Sequence, residues 1–140
     1  MSKHYSSGAD LSAKTLRGVN ILADNVASTL GPRGRTVLLQ RAGRRPFVSK
    51  DGVTVAEHVV LDDPIENAAV QILKQASSQT NALAGDGTTT SMVLARAILR
   101  EAQKHVVAGV APIQVKRALD RATETLIHNL SELATPIQSE

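Results

Sequence analysis

The sequence predicts a mainly α-helical protein, a bundle of long helices with one small β-hairpin. Four stretches carry apolar residues at three- and four-residue spacing, and two short β-prone runs lie on either side of Gly43. The 140 residues suffice for one domain. Because 42% of them are hydrophobic but only one is Phe, one is Tyr and none is Trp, the core must be aliphatic.

The first helical stretch follows Asp10, a plausible N-cap, and ends near Gly31-Pro32. Pro32 cannot donate the backbone hydrogen bond that a continuing helix would need, and it disfavours a helical conformation at Gly31. Apolar residues recur along one predicted face: Leu16, Val19, Leu22, Ala23, Val26 and Leu30.

The two β-prone runs, residues 36–40 and 46–50, predict the hairpin, and Asp51-Gly52 is a turn that closes it. Residues 53–59 are compatible with a short helix or a strand, and we favour the helix. An isolated two-stranded hairpin is marginal in water, so we expect it to pack on the helices or to gain strands from its own or another chain.

Three further helices are predicted from Pro64, from Thr88 and from Pro112. The apolar stripe of the first comprises Ile65, Ala68, Ala69, Ile72, Ala76 and Leu83. The helix from Thr88 is apolar almost all round, which predicts a central position in the core. Gly109 ends that helix, and Pro136 ends the last one.

Composition narrows the classes of function. A net charge of +3 permits binding of an anion such as a nucleotide, and the scarcity of aromatic residues argues against recognition of single-stranded nucleic acid. No cysteine is present, which excludes disulfides and thiolate metal sites. The polar first ten residues resemble no export or transit signal, and no apolar run reaches membrane-spanning length, so we expect a cytoplasmic protein.

The segment Gly85-Asp86-Gly87-Thr88-Thr89-Thr90 is the sharpest candidate for chemistry. Its glycines allow close backbone approach to a ligand, and the helix that follows offers free N–H groups to an anion. Asp86 would repel phosphate unless Mg²⁺ bridges the two, so a phosphate–Mg²⁺ site explains the whole string. The alternative is an ordinary N-cap provided by Asp86 or Thr88.

Two other segments carry weaker signals. Lys50 and Asp51, at a tight turn, could neutralise phosphate charge and activate water, or they could form a solvated turn. The segment 29–32, Thr-Leu-Gly-Pro, is by itself most simply a helix stop followed by exposed arginines.

Taken in order, Thr-Leu-Gly-Pro at 29–32, Lys-Asp-Gly-Val at 50–53 and Gly-Asp-Gly-Thr-Thr-Thr at 85–90 resemble the N-terminal signature of group I (GroEL-type) chaperonins. Residues 16–20, 22–24, 66–67 and 116–120 match the same pattern, and the resemblance extends from about residue 3 to residue 136. It implies that residues 1–136 are the N-terminal part of an equatorial ATP-binding domain. Residues 137–140 would then start a hinge toward an intermediate domain.

The resemblance also implies a site for ATP or ADP with Mg²⁺. Asp86 would hold the metal, Asp51 would position the attacking water as the catalytic residue, and Lys50 would lie on the phosphate side. The remaining implied residues would line the nucleotide or bind its phosphates: Thr29, Leu30, Gly31, Pro32, Gly87, Thr88, Thr89 and Thr90.

The activity implied for the whole protein is ATP hydrolysis coupled to the folding of client proteins in a homo-oligomeric ring. The hairpin at 36–50 would join a strand of a neighbouring subunit, and clients and a co-chaperonin would bind only through domains outside this chain. For the 140-residue chain alone we expect weak nucleotide binding and little or no turnover. The polar Ser6 and Ser7 and the basic Arg44 and Arg45 depart from the family pattern in the regions of the ring contact.

Two alternatives remain open at this point. One is a natural truncated paralogue with a structural or regulatory role. The other is a basic interaction module without ATPase activity, which predicts salt-dependent binding of nucleic acid. Its arginines would be Arg33, Arg35, Arg41, Arg44 and Arg45.

Overall fold

A computed structural model describes residues 4–136 and confirms the predicted mainly helical fold. Within that range the elements are α1 (Gly8–Ala27), β1 (Val37–Leu39), β2 (Phe47–Ser49), α2 (Gly52–His58), α3 (Pro64–Ala84), α4 (Thr88–Val107) and α5 (Pro112–Leu133). They form two compact units, one ending at Arg100 and the other beginning at Glu101. Residues 137–140, predicted to start a hinge, lie outside the described residues.

Helix α1 begins earlier than predicted. Its N-cap is Ser7, in an extended conformation, so the assignment of Asp10 as the cap is wrong. Asp10 lies in the first helical turn, where a carboxylate interacts favourably with the positive end of the helix dipole, and it accepts a 2.6 Å hydrogen bond from the Ser6 hydroxyl. The sequence pattern alone could not decide between Ser7 and Asp10 as the cap, because Ser and Asp both favour the position before a helix.

The hairpin pairs β1 and β2 in antiparallel register, with Leu38 opposite Val48. Its turn places Gly43 at φ +72°, and the Arg44 N–H donates to the Arg41 carbonyl over 3.0 Å. Only Leu39 of the two strands is buried. The hairpin therefore packs on the helices through the face that carries Val37 and Leu39, and Leu38 and Val48 on its other face stay largely exposed.

The favoured short helix after the hairpin is confirmed as α2. Asp51 caps its N-terminus, and Lys74 of α3 donates to the carbonyls of Glu57 (3.2 Å) and Val59 (2.8 Å) at its C-terminal end. Partial burial lowers the pKa of Lys74. Both ends of this seven-residue helix are thus held by side chains, which compensates for its short length.

One aliphatic core lies among α1, α2, α3, β1 and the start of α4. Its fully enclosed side chains include Leu22, Val26, Val55, Val70 and Met92. The apolar face predicted for α1 is largely confirmed, because Val19, Leu22, Ala23 and Val26 are buried, whereas Leu30 is exposed.

The stripe predicted for α3 is wrong in part. The residues that α3 buries are Glu66, Ala69, Val70, Leu73 and Ser77, while Ile72 and Leu83 are exposed. Compared with the predicted stripe, α3 is rotated about its axis. This rotation accompanies the contact with α1, where Arg17 pairs with Glu66 (3.0 Å) and Lys14 pairs with Asp63 (2.8 Å). Two ion pairs at the start of α3 therefore turn a charged residue toward α1.

The central position predicted for the helix from Thr88 is also wrong. Met92 is the only α4 residue that the structure describes as buried, and Leu94 and Ile98 are about half exposed. Ala95 and Leu99 pack against the core, so the elements of the first unit cover one side of the helix and leave its other side bare. None of the helices in residues 4–136 is long and apolar enough to cross a membrane.

Candidate functional site

Three segments that are distant in sequence meet around a cavity of about 240 Å³. They are the turn after α1, the junction between β2 and α2, and the loop between α3 and α4. The residues lining the cavity are Thr29, Leu30, Gly31, Lys50, Asp51, Gly52, Asp86, Gly87, Thr88, Thr89 and Thr90. The structure thus brings together every predicted site residue except Pro32, which is not among the lining residues.

The loop between α3 and α4 depends on two left-handed glycines, Gly85 at φ +71° and Gly87 at φ +79°. Gly85 ends α3 as its C-cap, and the Gly87 carbonyl accepts the first bond of α4 from Ser91 N–H over 2.8 Å. The Asp86 carboxylate between them is exposed and accepts from Gly87 N–H over 2.6 Å. The loop therefore holds one carboxylate beside the start of a 20-residue helix.

The first turn of helix α4 lines the cavity, and Gly87 occupies the capping position before it. A glycine has no side chain to accept hydrogen bonds from the N–H groups of the first turn, whereas Asp51 and Asp63 do this for α2 and α3. Helices α1 and α5 also lack a side-chain cap bond, but they do not begin at the cavity. Asp86 is therefore not a simple N-cap of α4. Its carboxylate accepts from Gly87 N–H, which precedes the helix, whereas an N-cap side chain accepts from an N–H group of the first helical turn.

A buried hydroxyl supports this loop from α3. Ser77 is 4% exposed and donates to the Thr88 carbonyl over 3.3 Å. Sequence reasoning missed this residue, because Ser77 lies on the α3 face that the apolar pattern had placed outside the core.

Asp51 has a structural role that is visible without any ligand. Its carboxylate accepts from Thr54 Oγ1 (2.6 Å), from Thr54 N–H (2.9 Å) and from Val53 N–H (3.3 Å). These hydrogen bonds, that of the Thr54 hydroxyl foremost, lower the pKa of Asp51. The carboxylate at the cavity is therefore held as an anion in one orientation.

Gly52 is the second residue that the site analysis of the sequence missed. A Cβ atom built on it would lie 1.9 Å from Thr89 Oγ1 and 3.4 Å from Thr29 Oγ1. The start of α2 thus approaches both threonines closely, and the lack of a side chain at position 52 allows it. The Asp-Gly turn signal in the sequence marked this position, but the reason for the glycine is tertiary.

The turn after α1 completes the wall of the cavity. Thr29 Oγ1 donates to the Val26 carbonyl over 2.7 Å, and Gly31 lies at φ +77°. Arg35 N–H donates to the Ser28 carbonyl over 2.7 Å and closes the loop that contains Pro32. Pro32 is part of this loop without lining the cavity, and its predicted role at a nucleotide stays a prediction.

The lining combines one cation, Lys50, with two carboxylates, Asp51 and Asp86, and with four threonines. Within residues 4–136 no cluster of three or more His, Asp or Glu side chains could hold a metal ion unaided. A divalent cation here would take its remaining ligands from water or from a bound anion. Mg²⁺ characteristically binds in this way, through one or two carboxylates and substrate phosphates.

A comparison with protein-family models decides the family. Residues 22–140 match the model of the TCP-1/cpn60 chaperonin family, and this range contains the whole cavity. The chain belongs to the TCP-1/cpn60 chaperonin family. The matched part is the N-terminal equatorial region of a chaperonin, in agreement with the resemblance of the three motifs. The chaperonin chain is thus a member of a family of protein-folding chaperones, and that family generally forms oligomeric rings.

Proposed function

We propose that this chaperonin chain binds the phosphates of ATP or ADP together with Mg²⁺ in the cavity between α1, α2 and α4. In an assembled ring, hydrolysis of that ATP would drive the folding of client proteins. The observation that carries the proposal is the convergence of three separate segments on the uncapped start of α4, with Asp86 beside it. Family membership supports the same assignment, since chaperonins are generally ATPases.

The chemistry of each lining residue suggests a separate role in binding the nucleotide. The N–H groups at the start of α4 and the hydroxyls of Thr88, Thr89 and Thr90 would donate to phosphate oxygens, because a helix N-terminus favours an anion. Lys50, which lines the same cavity, would offset the charge of the phosphates. Asp86 would supply the carboxylate ligand of Mg²⁺, and the ion, when bound, would neutralise charge that builds up on the phosphates.

Asp51 would orient the attacking water. Its lowered pKa keeps the carboxylate ionised, and its bonds to α2 hold the group in place. Because phosphoryl transfer depends mainly on positioning and electrostatics, a rigid anion at this point of the cavity suits that role. The bound nucleotide and the attacking water would then be the remaining neighbours of the Asp51 carboxylate.

The test is calorimetric titration of the chain with ADP and ATP, with and without Mg²⁺. We expect binding that depends on Mg²⁺, and Asp86→Ala should weaken it by at least about tenfold, since an interaction with a charged group contributes about 1.5–3 kcal/mol. Asp62→Ala removes an equal charge from an exposed loop position and should leave the affinity unchanged. Unaltered Mg²⁺-dependent binding by Asp86→Ala would refute the metal role, and no binding by the parent chain would refute the site.

A further inference from the structure

Ser77 of α3 carries a buried hydroxyl that the packing of the helices does not require. Ser77 and Glu66 are the two polar residues that the structure describes as buried, and Glu66 is accounted for by its ion pair with α1. Ser77 continues a stripe of buried residues that includes Ala69 and Leu73, at successive spacings of four. An alanine at position 77 would fill the same space without burying a hydroxyl, which is unfavourable unless the group is hydrogen-bonded.

The Ser77 hydroxyl binds the peptide group that begins α4. It donates to the Thr88 carbonyl over 3.3 Å, and the Ser91 hydroxyl donates to the same oxygen over 2.7 Å. This carbonyl and the Thr89 N–H belong to one planar peptide unit, so a contact that fixes the carbonyl also fixes the direction of the N–H. The Thr89 N–H has no acceptor within the helix, because the first intrahelical bond is the one that Ser91 N–H donates to the Gly87 carbonyl. Thr89 lines the cavity.

We propose that Ser77 is a positioning residue of the phosphate site, which acts through the Thr88 carbonyl to orient the Thr89 N–H toward a phosphate oxygen and to strengthen it as a donor. The inference rests on the proposed binding of nucleotide phosphates in this cavity. A hydrogen bond accepted by a carbonyl polarises its peptide unit, and the N–H of the same unit then donates more strongly. Ser77 acts on the ligand without touching it, because it is buried and is not among the lining residues.

The end of α3 holds the preceding loop by other contacts. Gly85 N–H donates to the Asn81 carbonyl over 2.9 Å, and Thr80 Cγ2 lies 3.9 Å from the position of a Cβ built on Gly87. These contacts precede α4, whereas the Ser77 hydroxyl reaches the peptide of its first turn. Removing that hydroxyl should therefore change the Thr89 donor and leave the conformation of the loop in place.

The first experiment titrates the full 140-residue chain with Mg-ADP by calorimetry. We expect Ser77→Ala to raise the dissociation constant about three- to tenfold, the effect of one hydrogen bond of ordinary strength, and Ser77→Thr, which keeps a hydroxyl, to retain most of the affinity. Ser78→Ala removes a hydroxyl from the adjacent exposed position and should leave the affinity unchanged. Equal affinities of the parent and Ser77→Ala chains would overturn the positioning role and leave the nucleotide site standing. A parent chain that binds no Mg-ADP would refute the proposed function and this inference with it.

The second experiment follows the Thr89 amide by NMR and separates positioning from a general loosening of α3. Saturating Mg-ADP should move the Thr89 amide proton downfield in the parent chain, as donation to a phosphate oxygen does, and by less in Ser77→Ala. The amides of Ala69 and Leu73, on the buried stripe of α3, are the internal control and should keep their positions in Ser77→Ala. A Thr89 response equal in the two chains, or changes confined to the α3 stripe, would show that Ser77 serves packing alone and would overturn the proposal.

Discussion

Gly52 shows how a residue without a functional group can shape a ligand site. Its Cα lies so close to Thr89 that an added Cβ would meet the threonine hydroxyl at 1.9 Å and its Cβ at 3.1 Å. Rotation about χ1 would move the Thr89 hydroxyl but not Thr89 Cβ, so it would not relieve the second contact. The close approach therefore couples the start of α2, where Asp51 is the cap, to the start of α4, where the proposed phosphate site lies.

We expect Gly52→Ala to weaken nucleotide binding and to lower the free energy of unfolding by about 1–3 kcal/mol, the usual cost of forcing extra atoms into a packed site. Titration with Mg-ADP and urea unfolding measure the two effects. Gly43→Ala, at the left-handed turn of the hairpin, is the matched control, because it strains the backbone without touching the cavity. Adding Thr89→Ala should restore part of the lost stability, and simple additivity of the two changes would contradict the steric explanation.

At the scale of the element, the start of α3 shows how one side chain can cap a helix and also bind a second helix. Asp63 accepts from Ile65 N–H (2.8 Å), Glu66 N–H (3.1 Å) and the Lys14 ammonium (2.8 Å). The Lys14 bond foremost, with the two backbone bonds, lowers the pKa of Asp63 to about 2. The same bond raises the pKa of Lys14. One carboxylate thus caps α3 and ties it to α1.

This arrangement predicts a pH dependence of stability. Because the folded-state pKa of Asp63 is depressed, its contribution is fully present above the unfolded value near 3.8 and is lost as the pH falls toward about 2. In urea unfolding measured between pH 5 and pH 2, we expect Asp63→Asn to flatten the loss of stability, since asparagine still caps a helix but cannot ionise. The neighbouring Asp62→Asn change is the control. A slope unchanged by Asp63→Asn would show that the ion pair with Lys14 does not link the helices.

At the scale of the whole molecule, the close approach of α1 and α3 determines how the core of the first unit is assembled. A Cβ on Gly18 would lie 2.4 Å from the Glu66 carbonyl oxygen, so the two backbones meet with no side chain between them. Arg17 pairs with Glu66 at the same level. This contact sets the rotation of α3 and with it the identity of the buried residues, among them Val70, Leu73 and Ser77.

We therefore expect Gly18→Ala to destabilise the chain by about 1–3 kcal/mol, because the obstacle is backbone and cannot swing aside. The direction of the change in stability is informative, because replacing glycine by alanine within a helix normally stabilises a protein by about 0.5–1 kcal/mol. Thermal or urea unfolding measures it, and Ala13→Gly on the exposed side of α1 calibrates the propensity effect alone. A gain in stability for Gly18→Ala would show that α1 and α3 can separate without cost.

Much of the local structure was predictable because its signals are local. Pro64 and Pro112 begin helices, Gly85 ends one, and Asp51-Gly52 marks the turn before α2, in each case through the backbone chemistry of the residue itself. The residues of the cavity were predictable for another reason. Three short motifs in a given order identify the family, and the structure brings most of their residues to one cavity, whose lining lacks only Pro32, Val53 and Gly85 of the three motifs.

The faces of the helices were less predictable. Periodicity placed Ile72 inside and Ser77 outside, yet Ile72 is 68% exposed and Ser77 is 4% exposed. Alanine-rich helices such as α3 carry apolar residues on several faces, so the pattern alone allows more than one rotation. For α4 the apolar pattern indicated full burial. A pattern in one helix does not reveal whether a second element of the fold packs against its other side.

The sequence by itself determined which segments form the helices and the hairpin, and to which family the chain belongs, because glycine, proline and the motifs act through residues adjacent in the chain. Only the tertiary structure decided that α3 turns Glu66 toward α1, that Gly52 must leave room for Thr89, and that Ser77 supports the Thr88 carbonyl. These facts depend on distances between segments that are far apart in sequence. Such distances are set by the packing of the whole core and not by the preferences of any single residue.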